Sequence, residues 1–313
     1  MTTHDLKPQI APGTTLPALQ TTAAQSPVAV TLYPHGATLT GVRFGDGPPL
    51  LYLSPTAVLD GSKPLRGGVP VCFPWFAVHP SDPDAAKHGT VRNKAWDIEY
   101  ARYADPADAG SPAFDALLTT RTDPWEIAYR VCAFRSDADR PATGSIQLTV
   151  TVTNQSQEPR AFELALHTYF AVGDVRRVHV TGLRGRDFLD NLADTQTPMR
   201  PLRQRHRYTE DREQLRFDGE CDRVYLGPTE GETAPITLHD PVLERAIEIT
   251  AIGCPSAVVW NPHVETAKGF ADLPDDAWTD FLCIESGLIA DDAVTLGPGA
   301  THTAEVTIRE TAV

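Results

Sequence analysis

The chain has 313 residues, 41% of them hydrophobic, and a formal net charge of −14. This length suits one large all-β domain or two smaller domains, and the hydrophobic residues are numerous enough to form a sizeable core. Because so acidic a surface repels phosphate backbones and anionic lipids, binding to nucleic acid or to a membrane surface is disfavoured. A small phosphorylated ligand remains compatible, since a few arginines in a cleft reverse the local field.

The cysteines favour a reducing compartment. All five are far apart and none forms a C-x-x-C pair, so free buried thiols explain them better than disulfides or a zinc site. No stretch approaches the ~20 consecutive apolar residues of a membrane-spanning helix. The N-terminus also lacks a basic region followed by an apolar run, so a secretory signal is not indicated. We therefore expect a cytoplasmic protein.

Short β-branched runs separated by turn residues predict an all-β sandwich. Residues 1–25 have no clear period and are expected to form a loosely structured lead-in or to wrap over the sandwich edge, while residues 26–313 form a single domain. In residues 145–153 the pattern is cleanest, with every second side chain apolar. The other predicted strands are 28–33, 37–44, 50–53, 161–170, 223–226, 236–239, 246–251, 257–260, 281–285 and 305–309.

Residues 65–97 combine four aromatic side chains with many prolines and glycines, which predicts an irregular, rigid wall. Aromatic faces suit the apolar faces of a sugar ring. Arg66, Lys87, His88 and Arg92 are interleaved there, and the planar fork of arginine matches phosphate oxygens. A phosphate-binding role for Arg66 and Arg92, with Lys87 nearby, competes with ordinary pairing to the many surface carboxylates.

The segment FELALHTYF, residues 162–170, carries a candidate acid–base residue. Strand alternation places Phe162, Leu164 and Leu166 on one face, and the other face carries Glu163, Ala165, His167 and Tyr169. Histidine is the side chain best suited to exchange a proton near neutral pH. A satisfied structural histidine is the alternative interpretation of His167.

Farther along, residues 200–216 are rich in arginine and form either a solvated loop or a rim that attracts anions. Asp222 begins a strand, where it could accept hydrogen bonds from sugar hydroxyls or serve as a turn residue. Asn261 ends a strand and either orients a neighbour or caps the turn.

Glu285 lies in the segment FLCIESG, residues 281–287, at the end of an apolar run. A carboxylate at the end of a buried strand costs desolvation free energy unless it is paired or used. Burial would raise its pKa and make it a stronger base. A salt-bridged structural carboxylate is the alternative.

Six segments, in this order, resemble the glucose-6-phosphate 1-epimerase (hexose-6-phosphate mutarotase) branch of the aldose 1-epimerase superfamily: LRGGVPVCFPWF, KHGTVRN, LHTYF, CDRVY, VVWNPHVETAKGFADLPDDAW and CIESG. Together they span residues 65–287. The resemblance implies a galactose-mutarotase-like antiparallel β-supersandwich. It also implies an isomerase that interconverts the α and β anomers of a hexose 6-phosphate, with D-glucose 6-phosphate as the expected substrate.

The same resemblance implies roles for individual residues. His167 is expected to be the general acid and Glu285 the general base, facing a pyranose from opposite edges. The implied substrate contacts are Arg66, Lys87 and Arg92, largely to the phosphate, Asp222 to sugar hydroxyls, and His88 near the cleft. No metal or organic cofactor is implied, the expected partner is a small phosphosugar, and we expect a monomer rather than an oligomer. The chain departs from the family pattern at residues 90–91 and 263, which bear on the shape of the sugar pocket.

Three other functions are compatible with parts of the sequence. A non-catalytic carbohydrate-binding module would share the sandwich and the aromatic wall, and a regulatory protein would keep the fold without turnover. A glycosidase or lyase needs two carboxylates, for which Glu285 with Asp222 or Glu163 are the candidates. The presence of both His167 and Glu285 favours the epimerase.

Overall fold

The computed structural model describes residues 3–11, 14–22, 24–104, 111–135, 143–193, 202–228 and 234–312. Within these ranges α1 is His263–Ala267, and short 3₁₀ turns lie at Val91–Asn93, Leu202–Gln204, Ala277–Thr279 and Ala290–Asp292. The strands are β1 Thr3–Asp5, β2 Gln9–Ile10, β3 Pro17–Gln20, β4 Val28–Tyr33, β5 Thr38–Phe44, β6 Val71–Cys72, β7 Asp97–Ala104, β8 Phe114–Thr122, β9 Trp125–Arg135, β10 Gly144–Asn154, β11 Arg160–Phe162, β12 Leu164–Leu166, β13 Tyr169–Ala171, β14 His179–Thr181, β15 Asp187–Asp190, β16 Arg207–Thr209, β17 Cys221–Tyr225, β18 Ile236–Asp240, β19 Arg245–Ile252, β20 Ser256–Asn261, β21 Phe281–Leu288, β22 Val294–Leu296 and β23 Thr301–Ala312.

Two large antiparallel sheets dominate the described part of the chain. One has the order β1-β7-β8-β9-β10-β23-β19-β18-β14, and the other has the order β16-β15-β17-β20-β21-β12-β6, with β13 also pairing with β21. A smaller sheet, β2-β3-β4-β5, and the pair β11-β22 complete the layers. One buried cluster joins Leu148 and Ile249 of the first sheet to Val259 and Ile284 of the second. The predicted all-β supersandwich is confirmed.

Strand β10 follows directly from its sequence. Ile146, Leu148, Val150 and Val152 have no exposed surface, while the side chains between them are half-buried on the opposite face. Every second residue of a strand points to the same face, so this alternation commits one face of β10 to the core.

The segment predicted as one strand at 161–170 is divided into β11, β12 and β13, so that prediction was wrong in detail. The N–H groups of Glu163 and His167 donate to the carbonyls of Pro74 and Pro70, at 2.9 and 3.0 Å, instead of to a neighbouring strand. His167 therefore lies in the gap between β12 and β13. The predicted strand at 50–53 is likewise reduced to isolated bridges from Leu51 and Leu53.

Three long strands of the first sheet, β7, β8 and β9, were not predicted. Charged residues interrupt the apolar pattern of these strands, but side chains of opposite charge on neighbouring strands form ion pairs. The carboxylate of Asp115 accepts hydrogen bonds from Arg102 at 2.7 Å and from Arg130 at 2.9 Å. A sequence pattern does not reveal that such charges are paired, which is why the strands were missed.

The N-terminal segment contributes strands to sheet edges. Thr3–Asp5 pairs with β7, and Pro17–Gln20 pairs with β4. These pairings fit the alternative in which the segment lies along the sandwich edge better than they fit a loose lead-in. The domain boundary after residue 25 stays a prediction. All five cysteines are buried and unpaired, as expected. Among the described residues, no helix is long and apolar enough to cross a membrane.

The two faces of β10 give a matched stability test. Leu148→Ala removes a fully buried side chain and should lower the free energy of unfolding by about 2–5 kcal/mol, because a cavity is left in the core. Thr149→Ala, on the opposite face, should change it by no more than about 0.5 kcal/mol. Urea denaturation followed by tryptophan fluorescence measures both, and equal losses would contradict the assigned faces.

Candidate active site

The imidazole of His167 and the carboxyl group of Glu285 are in direct contact. Nε2 of His167 lies 3.4 Å from Oε1 of Glu285, and the two residues are only 8% and 1% exposed. The contact arises because β12, which ends one residue before His167, pairs with β21, which carries Glu285. Neighbouring strands thus bring together two groups that are far apart in the sequence.

Burial favours the uncharged form of both groups. It lowers the pKa of His167 well below its usual value, and the nearby charges of Arg92 and Arg66 add to this effect, as does His88. Burial also raises the pKa of Glu285 well above its usual value, where Asp222 adds to the shift. Both shifts favour an arrangement in which the carboxyl group carries the one proton of the pair and the imidazole is neutral.

His88 packs beside His167. The two imidazole rings are 5.6 Å apart in an edge-to-face arrangement, and Nδ1 of His88 accepts a hydrogen bond from the N–H of Ala77 at 3.4 Å. Burial lowers the pKa of His88 to about 3, with Arg92, Lys87 and Arg66 adding to the shift. His88 is therefore a neutral imidazole whose Nε2–H is a hydrogen-bond donor.

A glycine fixes the backbone at this point. Gly89 has φ +79°, and a Cβ there would lie 1.8 Å from the carbonyl oxygen of Phe73. Only glycine fits so close to another backbone. Thr90 then donates its N–H to the same carbonyl at 2.9 Å, so the loop that carries His88 is held against the strand region before it.

Two aromatic side chains, Tyr169 and Trp260, contact the ring of His167. Neither was predicted as a site residue. The ring of Tyr169 stacks on the imidazole with centroids 4.8 Å apart and planes inclined by 10°. The indole of Trp260 meets the imidazole edge-on at 5.9 Å. The strand alternation had already placed Tyr169 on the face of His167, which is the signal that could have identified it.

Arg66 is anchored next to this stack. Its Nε donates to Asp272 at 3.1 Å, its Nη1 donates to the hydroxyl of Tyr169 at 3.3 Å, and its guanidinium lies 4.5 Å from the ring centroid of Phe270. These bonds leave Nη2 without a partner among the described residues. Gly68 allows the turn after Arg66, because it has φ +68° and a Cβ there would lie 2.3 Å from the carbonyl oxygen of Leu39.

Arg92 and Lys87 are joined by a hydrogen bond near His88. Nη2 of Arg92 donates to the carbonyl oxygen of Lys87 at 2.8 Å, while the side chain of Lys87 is exposed. The charges of Arg92, Lys87 and Arg66 all act on His88. Arg66 and Arg92 also act on His167, so positive charge acts on both histidines in a protein whose net charge is −14.

Asp222 faces the pair from β17. Nδ2 of Asn191 donates to Oδ1 of Asp222 at 2.7 Å, and Arg205 donates to the side-chain oxygen of Asn191. Burial raises the pKa of Asp222 to about 6, although the hydrogen bond from Asn191 and the charge of Arg205 oppose the shift. Asn191 lies in no recognisable motif, so only the structure identifies it. Of the arginine-rich stretch 200–216, residues 200 and 201 lie outside the described residues.

Two other polar residues considered from the sequence are structural. The carboxylate of Glu163 accepts the N–H of Phe76 at 2.9 Å with one oxygen and the N–H of Ala290 at 3.0 Å with the other. The side chain of Asn261 accepts the N–H of His263 at 2.9 Å and so caps the turn into α1. Across the described ranges, no three His, Cys, Asp or Glu side chains form a group suited to a metal ion.

A cleft of about 610 Å³ adjoins the site without containing the pair. Trp75, Phe76, Asn191 and Arg205 are among its lining residues. Asn191 connects the cleft to the candidate site, because it lines the cleft and also donates a hydrogen bond to Asp222. The cleft wall includes neither His167 nor Glu285.

Comparisons with known proteins identify the family and the fold of the chain. The family model of aldose 1-epimerase matches residues 19–309. A protein of Cenchrus ciliaris named "Putative glucose-6-phosphate 1-epimerase" is 31% identical over 271 residues, covering 86% of this chain and 77% of the relative. A crystal structure of a "putative mutarotase" from Salmonella typhimurium superposes with a TM-score of 0.77 at 22% identity, covering 98% of this chain and 97% of the other. Galactose 1-epimerase from Lactobacillus acidophilus NCFM gives 0.67 at 14% identity, covering 100% and 99%, so the fold is galactose-mutarotase-like. The chain belongs to the aldose 1-epimerase family, whose reaction is the interconversion of sugar anomers.

Proposed function

We propose that this epimerase interconverts the α and β anomers of a hexose 6-phosphate, with D-glucose 6-phosphate as the substrate. The observation that carries the proposal is the buried contact between His167 and Glu285, with cations gathered beside it. The name of the Cenchrus ciliaris relative points to the same substrate.

The contact distance suits anomerisation. The reaction removes a proton from the hydroxyl oxygen O1 and delivers one to the ring oxygen O5, and both oxygens are bonded to C1. Two groups 3.4 Å apart can reach both atoms from one edge of the sugar, so an approach from opposite edges is not needed. Glu285, as a carboxylate, takes the O1 proton, while His167, as an imidazolium, protonates O5.

Ring opening gives an aldehyde, and rotation about the C1–C2 bond presents its other face. On reclosure the two groups exchange roles: His167 takes a proton from the O5 hydroxyl and Glu285 returns one to O1. Each acid or base typically contributes about 10²–10⁴-fold to the rate. No covalent intermediate is required, and no net proton is consumed.

The phosphate would bind among Arg66, Arg92 and Lys87. The free Nη2 of Arg66 can donate to a phosphate oxygen, and charge-assisted hydrogen bonds of this kind are the strong ones. His88 adds a neutral N–H donor nearby. Binding energy from this remote group would hold the sugar in place while C1 turns.

The rival functions fit less well. A glycosidase needs a second free carboxylate, and both oxygens of Glu163 are already bonded to the backbone. Asp222 remains the candidate second carboxylate for a glycosidase that uses Glu285. Release of reducing ends from a disaccharide would support the glycosidase alternative. A binding module or a regulatory protein would not need a histidine in contact with a glutamate, and neither would accelerate anomer exchange.

Removing either member of the pair should abolish most turnover. We expect His167→Gln and Glu285→Gln each to slow anomer exchange of glucose 6-phosphate by about 10²–10⁴-fold, because each loses its acid or base. Exchange spectroscopy by NMR measures the rate, and circular dichroism checks the fold. His206→Gln, an exposed histidine, serves as the control. Near wild-type exchange in both pair variants would rule out the assignment.

Removing a cation should affect the phosphosugar selectively. Arg66→Ala and Arg92→Ala should each raise KM for glucose 6-phosphate by about 10- to 100-fold, since a hydrogen bond to a charged group is lost, with a much smaller effect on glucose. Arg121→Ala removes an arginine whose side chain is 81% exposed and should change neither. Equal losses on the two sugars would contradict a phosphate role.

The contact of Asp222 to sugar hydroxyls depends on its charge. Asn191→Ala deletes a donor to the carboxylate, so the pKa of Asp222 should rise above its value of about 6. More of Asp222 is then protonated at pH 7, and KM should increase most on the acid side of neutrality. Carboxyl ¹³C NMR measures the pKa, with the exposed Asn93→Ala as control. An unchanged pKa would show that Asn191 does not tune this group.

A further inference from the structure

The positive charges around His167 create a conflict in the free site. The proposed reaction needs an imidazolium at residue 167, yet Arg66 and Arg92 both disfavour that charge. Burial disfavours it further, and the single proton of the pair is better held by Glu285. Something in the substrate complex must therefore make the imidazolium accessible.

We propose that the substrate's phosphate activates the acid as well as anchoring the sugar: by neutralising Arg66 and Arg92, it allows His167 to hold the proton that is delivered to O5. The inference rests on the proposed function, because it assigns a second role to the same phosphate. It implies that the phosphate raises kcat in addition to lowering KM.

Arg66 is the group best placed for this effect. Its Nη1 donates to the hydroxyl of Tyr169, and the ring of Tyr169 stacks on His167. Only the ring of Tyr169 therefore separates the imidazole from a guanidinium whose charge an anion would neutralise. Its Nη2 is available to a phosphate oxygen. Of the three side chains that Arg66 contacts among the described residues, Asp272, Tyr169 and Phe270, Asp272 is the one that carries a negative charge.

The proton needed by His167 is already present in the pair. Transfer from Oε1 of Glu285 to Nε2 of His167, across the 3.4 Å contact, produces a carboxylate and an imidazolium with no proton taken from solvent. Arg66 acts on His167 and is not among the charges that shift Glu285, whereas Arg92 acts on both. Neutralising Arg66 therefore favours His167 as the proton's location.

The remaining titratable groups near the pair do not supply the missing charge. Burial raises the pKa values of Tyr169, Cys72 and Cys283, so all three stay neutral. His88 is neutral because burial lowers its pKa to about 3. Asp222 is ionised above pH about 6 and acts mainly on Glu285, where it favours the protonated carboxyl group.

The test separates the phosphate from the sugar. Sulfate serves as the probe, because it stays dianionic through the titration and is too weak a base to catalyse anomer exchange. In ¹⁵N-histidine-labelled protein, with the signal assigned from His167→Gln, saturating sulfate should raise the apparent pKa of His167 by about one pH unit. Sulfate should also accelerate anomer exchange of D-xylose, which is glucose without its C6 group, at least tenfold at saturating sugar.

Variants at residue 66 show whether the effect passes through this cation. Arg66→Met should remove both responses, Arg66→Lys should keep most of them because it keeps the charge, and Arg121→Ala should leave them intact. Saturable sulfate binding that changes neither the titration of His167 nor xylose exchange would overturn the inference and leave the proposed function standing. If sulfate does not bind and glucose 6-phosphate exchanges no faster than glucose, the proposed function fails and the inference with it.

Discussion

The contact between Nε2 of His167 and Oε1 of Glu285 is the constraint on which the rest of the site depends. It holds an imidazole and a carboxyl group side by side where both are almost fully buried. Burial alone would leave both neutral and poorly suited to exchange protons with substrate. The surrounding charges therefore decide how the shared proton is used, and the strand order decides that the groups meet.

The second feature is the concentration of positive charge in an acidic protein. Arg66 donates to the hydroxyl of Tyr169, whose ring stacks on His167, and the charges of both Arg66 and Arg92 act on His88. Such a local field attracts an anion even though the molecule as a whole repels anions. The same field opposes an imidazolium, so the proposed attraction of the substrate and the proposed activation of the acid depend on one set of charges.

Hydrogen bonding distinguishes Glu285 from two other acidic residues, Glu163 and Asp115. Glu163 is a carboxylate that the sequence offers as a second candidate beside Glu285, and Asp115 is another acidic residue with little exposed surface. In the structure both oxygens of Glu163 are bonded to backbone N–H groups, and Asp115 is paired with two arginines. Oε2 of Glu285 has no partner among the described residues, which leaves it available to a ligand.

The sequence by itself determined the all-β class, the buried face of β10 and the segments that hold His167, Glu285 and the cations. Alternation and local motifs depend only on neighbouring residues, so they can be read directly. Only the tertiary structure decided that β12 pairs with β21, that Tyr169 stacks on His167 and Asn191 binds Asp222, and that the imidazole of His167 contacts the carboxyl group of Glu285. These facts depend on strand pairing between distant segments and on burial, neither of which any local pattern encodes.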